Sequence, residues 1–192
     1  MGWLFAEKTL CLFEVDLKGG IAADTSARLA VEYRCLDAAS WVAQRHTGHI
    51  GDRYLFPARF ARGEQFWTVQ QDDKILAYCW ATQEPVEIGE IRCTMHPRSD
   101  ETYFYDAFTF ADYRGQNLYP ALLQRMLQAS RQHGLRRALI FVMSDNMASI
   151  RGVHKAGFHE FQRVTYRHIF GFGRYTYRPQ LQATAGVDLR HV

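Results

Sequence analysis

Apolar and polar residues alternate from Thr9 to Leu17, the period of a strand, and Gly19-Gly20 closes that run. Asp24-Thr25-Ser26 supplies capping side chains ahead of Leu29, Ala30, Tyr33, Leu36 and Trp41, whose spacing predicts a helix. Residues 46–64 are rich in Gly, Arg and His, show no clear period and read as a loop on a substrate side. Two short strands follow, Phe66 to Gln70 and Ile75 to Ala81, joined by the tight turn Gln71-Asp72-Asp73-Lys74, and residues 87–96 add another. Thr102 to Phe110 and Ala138 to Met143 are β in character, and each leads into a helix. In the first helix Leu118, Leu122, Met126 and Leu127 form one apolar stripe, and in the second Ile150 and Val153 do, which is the spacing of core packing. Phe158 to Tyr177, aromatic and β-branched around Gly171 and Gly173, reads as a closing hairpin. The order is strand, helix, antiparallel strands, strand-helix-strand-helix and a final strand pair, a mixed α/β pattern. Residues 1–178 are expected to form a single domain and residues 179–192 a polar, loose tail.

Composition narrows the function classes. The 192 residues are 47% hydrophobic and 14% aromatic, enough for a sizeable core, and no window approaches the roughly 20 apolar residues of a membrane span. Residues 1–13 carry Glu7 and Lys8 and lack the layout of a signal peptide, so a soluble, cytoplasmic protein is expected. Cys11, Cys35, Cys79 and Cys93 are widely spaced and read as reduced thiols filling the interior. His46 and His49 share a loop with no third ligand, so no metal site is expected. Net charge is only +3, yet Arg114, Arg125, Arg131, Arg136, Arg137, Arg151 and Lys155 are clustered along the chain, which suits a small polyanionic ligand or a solvated helix face. No aromatic-basic recognition motif accompanies them, so nucleic acid is not the expected partner.

The segment Tyr113-Arg114-Gly115-Gln116-Asn117-Leu118-Tyr119 is a basic, flexible turn running from a strand into a helix. The first N–H groups of a helix lack intrahelical partners and the dipole adds partial positive charge, so a diphosphate can bind there. Gly115 lets the backbone approach a ligand, Arg114 adds a cation, and Pro120 suits a first helical turn. The same residues also serve as ordinary helix punctuation. About thirty residues on stands Asn146-Met147-Ala148-Ser149-Ile150-Arg151-Gly152-Val153-His154-Lys155-Ala156-Gly157-Phe158, where Asn146 can cap a helix and Gly157 can end it. Together the two segments resemble the acyl-CoA loop and second signature of the GNAT superfamily of N-acetyltransferases, over roughly residues 66–170.

That resemblance implies a fold of α/β (α+β) type, with a mixed, mostly antiparallel central sheet, helices on both faces and a splayed central strand pair, here Tyr103 to Phe110 and Ala138 to Met143. The implied co-substrate is acetyl-CoA or another acyl-CoA, with no metal, held by Phe108, Thr109, Phe110, Arg114, Gly115, Gln116, Asn117, Leu118, Tyr119, Asn146, Ser149 and Arg151. Two positions depart from the family pattern. Asn117 stands where a glycine is usual, and Tyr119, where Gly or Ala is usual, must turn its ring away from the diphosphate or narrow the cradle. The family's frequent acid Tyr would fall at Val153 and is absent there.

Acyl transfer to an amine needs the amine neutral and close to the thioester carbon, with a group to take its proton. Asp106, inside the cofactor strand among aromatic residues, is the candidate base, against the plainer reading of a hydrogen-bonded or edge carboxylate. Glu101, Glu87 and Glu90 are alternatives. Tyr105 and Tyr166 carry hydroxyls able to protonate the leaving sulfur, His154 and His159 can shuttle protons, and N–H groups near Phe108 to Phe110 can polarise the thioester. The expected function is acyl-CoA-dependent N-acylation of a small primary amine such as an amino sugar or amino-acid derivative. The alternatives are an acyl-carrier-protein or aminoacyl-tRNA donor, which Asn117 and Tyr119 motivate, or a non-catalytic acyl-CoA-binding module. The sequence admits a homodimer without specifying one.

Overall fold

Along Phe5–Asp16 (β1), Cys11, Phe13 and Val15 enter one buried cluster and Leu10 and Leu12 another, the alternation of a strand covered on both faces. The computed structural model describes residues 5–19, 21, 25–44, 50, 52–169, 172–179 and 186–191. Its other strands are Glu32–Leu36 (β2), Gln65–Gln71 (β3), Lys74–Thr82 (β4), Val86–Ile88 (β5), Cys93–His96 (β6), Glu101–Thr109 (β7), Arg137–Met143 (β8), His159–Ile169 (β9), Phe172–Pro179 (β10) and Asp188–His191 (β11). Eight of them form one sheet in the order β10-β9-β1-β8-β7-β4-β3-β2, antiparallel throughout except for the parallel pair β7–β8. The helices are Ala38–Ala43 (α1), Phe56–Ala61 (α2), Leu118–Gln132 (α3) and Met147–Lys155 (α4).

The apolar stripe of α3 and Val153 of α4 cover the face that also carries Phe13, Cys79 and Phe104. The opposite face is covered in two parts. A three-stranded sheet, β11-β6-β5, buries Cys93 and Met95 against Leu12, Leu139 and Val164. Beside it Trp41 of α1 and Phe56 of α2 pack on Phe66 and Trp80, with the Phe56 and Trp80 rings 4.8 Å apart and close to perpendicular. Helices therefore lie on both faces of a mixed, mostly antiparallel sheet.

The β3–β4 turn places Asp72 at φ 49° and Asp73 at φ 60°, the doubly left-handed turn whose twist matches a hairpin and which Asp tolerates. The expected helix around Leu29 to Trp41 does not form. Residues 25–31 have no regular structure, Tyr33 and Cys35 pair with Val69 and Trp67 in an edge strand, and the helix is confined to α1, capped by the Asp37 carboxylate on the Ser40 N–H at 2.7 Å. The open edge of β3 offers ladder hydrogen bonds that outweigh local spacing. Residues 46–64, expected as a loop, hold a 3-10 turn at Arg53–Leu55 and α2, begun by Pro57 in the first turn. The tail past Pro179, expected to be loose, contributes β11, which pairs with β6 and packs Leu189 on the smaller cluster. Cys35, expected inside, is exposed. Gly20, Asp24, His46, His49 and Gly171 lie outside the described residues.

One end of the sheet is held by buried charge. Arg137 on β8 donates from Nε to Glu14 of β1 at 2.6 Å and from Nη1 to Glu101 of β7 at 2.8 Å, with all three side chains below a tenth exposed. Its guanidinium lies over the Phe161 ring at 4.9 Å, and His159 reaches Glu14 at 3.1 Å. Glu101 and His159, candidates for proton transfer in the sequence, are engaged in this scaffold. Arg137→Ala removes the cation shared by two buried carboxylates and should cost about 3–5 kcal/mol of stability. Urea denaturation measures it, and a loss under about 1 kcal/mol, the scale of an exposed pair, would refute the assignment.

Candidate active site

β7 and β8 pair only from Glu101 opposite Arg137 to Phe104 opposite Ile140. Beyond that point β7 stays with β4 and β8 stays with β1, so the two part and open a cleft in the middle of the sheet. A bulge adds to the parting. Tyr105 faces Trp80 and Phe108 faces Tyr78, which leaves Asp106 and Ala107 opposite Cys79 alone, with Asp106 at φ 48°. The Cys79 thiol donates to the Tyr105 carbonyl at 3.5 Å within the bulge.

After Phe110 the chain makes a 3-10 turn, Ala111–Tyr113, and enters the basic turn. Gly115 sits at φ 78° with open space where a Cβ would be, and Asn117 sits at φ 57°. The turn's carbonyls face backwards: Arg28 donates its backbone N–H to Gln116 O at 2.9 Å and Nη1 to Gly115 O at 3.4 Å, while Arg114 Nε reaches Thr109 O at 3.2 Å. Asn117 is the N-cap residue of α3, yet it makes no side-chain cap, and its Oδ1 accepts from Lys155 Nζ at 3.2 Å instead. The positive end of a fifteen-residue helix thus meets an open groove without its usual side-chain partner.

The groove measures about 630 Å³. Its walls are Ala107, Phe108 and Thr109 of β7, the turn from Tyr113 to Pro120 apart from Gln116, and Asn146, Ala148, Ser149, Arg151, Gly152 and Lys155 at and along α4. Arg114, Arg151 and Lys155 bring three cations to it. Asn146 caps α4, accepting from the Ser149 N–H at 3.1 Å, and Gly157 leaves the helix at φ 100°. Tyr119 does not block the cradle. Its ring lies against Gly152 and its hydroxyl meets Ser149 Oγ at 3.3 Å. Burial, with the Cys79 thiol adding to it, pushes the Tyr119 phenol above the usual tyrosine range.

Ten of the twelve residues expected at the cofactor line this groove, and Phe110 and Gln116 do not. The Phe110 ring packs edge-on against Phe108 toward the α1 and α2 side, and its N–H is spent on Leu76 O at 3.0 Å, so that amide is not available to polarise a thioester. Gln116 is turned so that its carbonyl meets Arg28.

Asp106 and Tyr105 stand where the cleft opens. Asp106 Oδ2 pairs with Arg59 Nη1 at 2.5 Å, and its side chain is about a third exposed. The Arg59 guanidinium lies over Tyr105 at 5.0 Å and Trp80 at 5.1 Å, where an aromatic face and a carboxylate hold it. Tyr105 donates its hydroxyl to Glu64, whose fully buried side chain also receives Arg62 Nε at 2.8 Å. Burial first, then this hydrogen bond, push the Tyr105 phenol far up, so it remains a donor at neutral pH. Sequence reasoning missed Arg59 and Glu64; the only signal was Arg59 between Phe56 and Phe60 at helical spacing.

The remaining candidates lie elsewhere. Tyr166 is on β9, separated from the cleft by β1 and β8, and its ring lies tilted against Tyr175 at 4.8 Å. The His154 ring abuts Phe13 and its Nδ1 lies 3.2 Å from Phe158 O, a structural position. Glu87 and Glu90 are exposed on and after β5.

A family model described as the acetyltransferase (GNAT) family matches residues 32–158. No curated protein matches the chain. Among solved structures, a GCN5-related N-acetyltransferase from Sphaerobacter thermophilus superposes with a TM-score of 0.58 at 14% identity, covering 84% of this chain and 51% of that one. A GNAT-family acetyltransferase from Colwellia psychrerythraea gives 0.56 at 14%, covering 84% and 55%. AAC(6')-Iy, in complex with the bisubstrate analogue CoA-S-monomethyl-acetylneamine, gives 0.51 at 15%, covering 69% and 92%. The chain spans about half the length of the first two, and at such identities the likeness speaks for the fold. With the family model matching residues 32–158, well over half of its length, the chain belongs to the GNAT acetyltransferase family.

Proposed function

We propose that this chain transfers an acyl group, acetyl in the first instance, from a CoA thioester to the primary amine of a small acceptor. The observation that carries the reading is the groove in which the uncapped start of α3 meets Arg114, Arg151 and Lys155, walled by β7 at Ala107 to Thr109, just past the residues where β7 leaves β8. A polyphosphate suits that end, because backbone N–H groups and fixed cations converge there with carbonyls turned away. The edges of β7 and β8 beyond Phe104 and Ile140 have no ladder partner in each other and can receive an amide-bearing arm as an added strand. A carrier-protein or aminoacyl-tRNA donor rests on Asn117 and Tyr119 departing from the family pattern, and the side chains of both lie against α4.

The bound thioester supplies the activated acyl group. The chain's residues hold the acceptor and move its proton. Asp106 stands at the mouth of the cleft and is the proposed proton acceptor, directly or through a water, with Arg59 fixing the carboxylate that receives the proton. Tyr105 spends its one hydroxyl hydrogen on Glu64, so it is not the proton donor to the leaving sulfur, and its oxygen remains able to accept a hydrogen bond on the same side. Asp106 and Glu64 are each paired with an arginine and the Tyr105 and Trp80 rings carry the Arg59 guanidinium, so this face offers an acceptor aromatic surface and hydrogen-bonding groups rather than an unpaired charge. An amino sugar or amino-acid derivative is the proposed acceptor.

Two outcomes test the reading. Saturation with CoA or acetyl-CoA at about 100 times its dissociation constant should add about 2.7 kcal/mol of stability, and mass spectrometry of pooled amines with acetyl-CoA should show acetylated product. An unshifted melting curve together with no product would sink the proposal. Asp106→Asn keeps a residue that tolerates the left-handed bulge and should lower kcat by about 10²–10⁴ with unchanged CoA affinity. A kcat within about twofold of the parent would remove Asp106 from the proton path.

A further inference from the structure

We infer that Tyr119 and Gly152 act as a matched pair that sets the floor of the donor groove, with Tyr119 a positioning residue held down by the notch Gly152 leaves on α4. The inference rests on the groove being the thioester site. Gly152 is the sixth residue of the nine in α4, in ordinary helical conformation, where a glycine costs about 0.5–1 kcal/mol relative to alanine and is not needed for the backbone. Its use there has a steric reason. A Cβ at position 152 would stand 2.6 Å from Tyr119 Cδ1 and 2.9 Å from Cε1, closer than carbon atoms approach without displacement, so the ring and any side chain at 152 exclude each other.

Tyr119 is fastened to α4 at a second point. Its hydroxyl lies 3.3 Å from Ser149 Oγ, three residues and about one turn before Gly152. Tyr119 itself is the second residue of α3, so the ring bridges the anion-binding end of one helix to the flank of the other. Tyr119, Ser149 and Gly152 all line the groove. The ring also packs against the close-packed core under α3 and α4 and borders the groove, so the groove is the space open to a displaced ring. A large residue beside the phosphate turn is therefore compatible with an open channel only because position 152 is glycine.

The test uses the full chain and four proteins: the parent, Gly152→Ala, Tyr119→Ala and the double variant. CoA binding is measured by calorimetry and ligand-free thermal unfolding alongside it. Gly152→Ala should lift the ring and weaken CoA at least about tenfold, or 1.4 kcal/mol, and the double variant should return to within about threefold of Tyr119→Ala. In ligand-free unfolding the Gly152→Ala penalty should vanish once Tyr119 is alanine. Undiminished CoA affinity in Gly152→Ala, or a double variant at least about tenfold weaker than Tyr119→Ala, would overturn the inference. If Gly152→Ala alone does not fold, the double variant must fold and bind as Tyr119→Ala does, and its failure overturns the inference equally. A parent protein that binds no CoA refutes the thioester reading instead, while the coupling in ligand-free unfolding still reports on the contact between the two positions.

Discussion

Four pairs of residues join β7 to β8 in parallel, and the site exists because that ladder stops at Phe104 and Ile140. Each strand keeps its antiparallel neighbour beyond that point, so the sheet divides without fraying. The bulge at Asp106 increases the local twist and carries β7 away from β8. A sheet that closed completely there would leave no backbone edge for a ligand. An opening in mid-sheet instead exposes two edges at the place where α3 and α4 begin.

Keeping such a gap open in a packed protein requires anchors on either side of it. At the paired end, Arg137 links β1, β7 and β8 through Glu14 and Glu101, with geometry that satisfies buried charge rather than leaving it exposed to solvent. On the Asp106 side, Arg59 and Arg62 from α2 and the turn after it hold Asp106 and Glu64 against the aromatic packing of Phe56 and Trp80. At the start of α3, Arg28 takes the carbonyls of Gly115 and Gln116, and Lys155 takes the Asn117 side chain. Each contact uses a polar group that would otherwise point into the opening or leave the turn loose. The opening is thereby kept with its N–H groups and cations in place, which is the preorganisation that anion binding requires.

How much of this could be read from residues alone varies along the chain. The stripe Leu118, Leu122, Met126 and Leu127 and the punctuation by Asn146 and Gly157 are local signals, and α3 and α4 follow them closely. The Asp72-Asp73 turn is equally local. Residues 25–41 fail for a physical reason: Leu29, Tyr33 and Leu36 have helical spacing, but the free edge of β3 recruits Glu32–Leu36 as a strand, and pairing across thirty-odd residues has no signature in the segment itself. Arg59 and Glu64 were invisible for a related reason, since a charged residue in a sequence reads as surface until its partner is known.

By itself the sequence determined the β3–β4 hairpin, the order β7-α3-β8-α4, the apolar faces of α3 and α4 and the two punctuated segments that begin them, because hydrophobic period and capping chemistry act within a few residues. Residues 87–96, read as one strand, form β5 and β6 of the smaller sheet. Only the tertiary structure decided that β7 and β8 part after Phe104, that Asp106 sits in a left-handed bulge against Arg59, and that the Tyr119 ring lies on Gly152 instead of in the cradle. Those outcomes depend on strand register and on contacts between residues distant in the chain, where packing and burial, not local preference, choose among conformations that each segment could adopt alone.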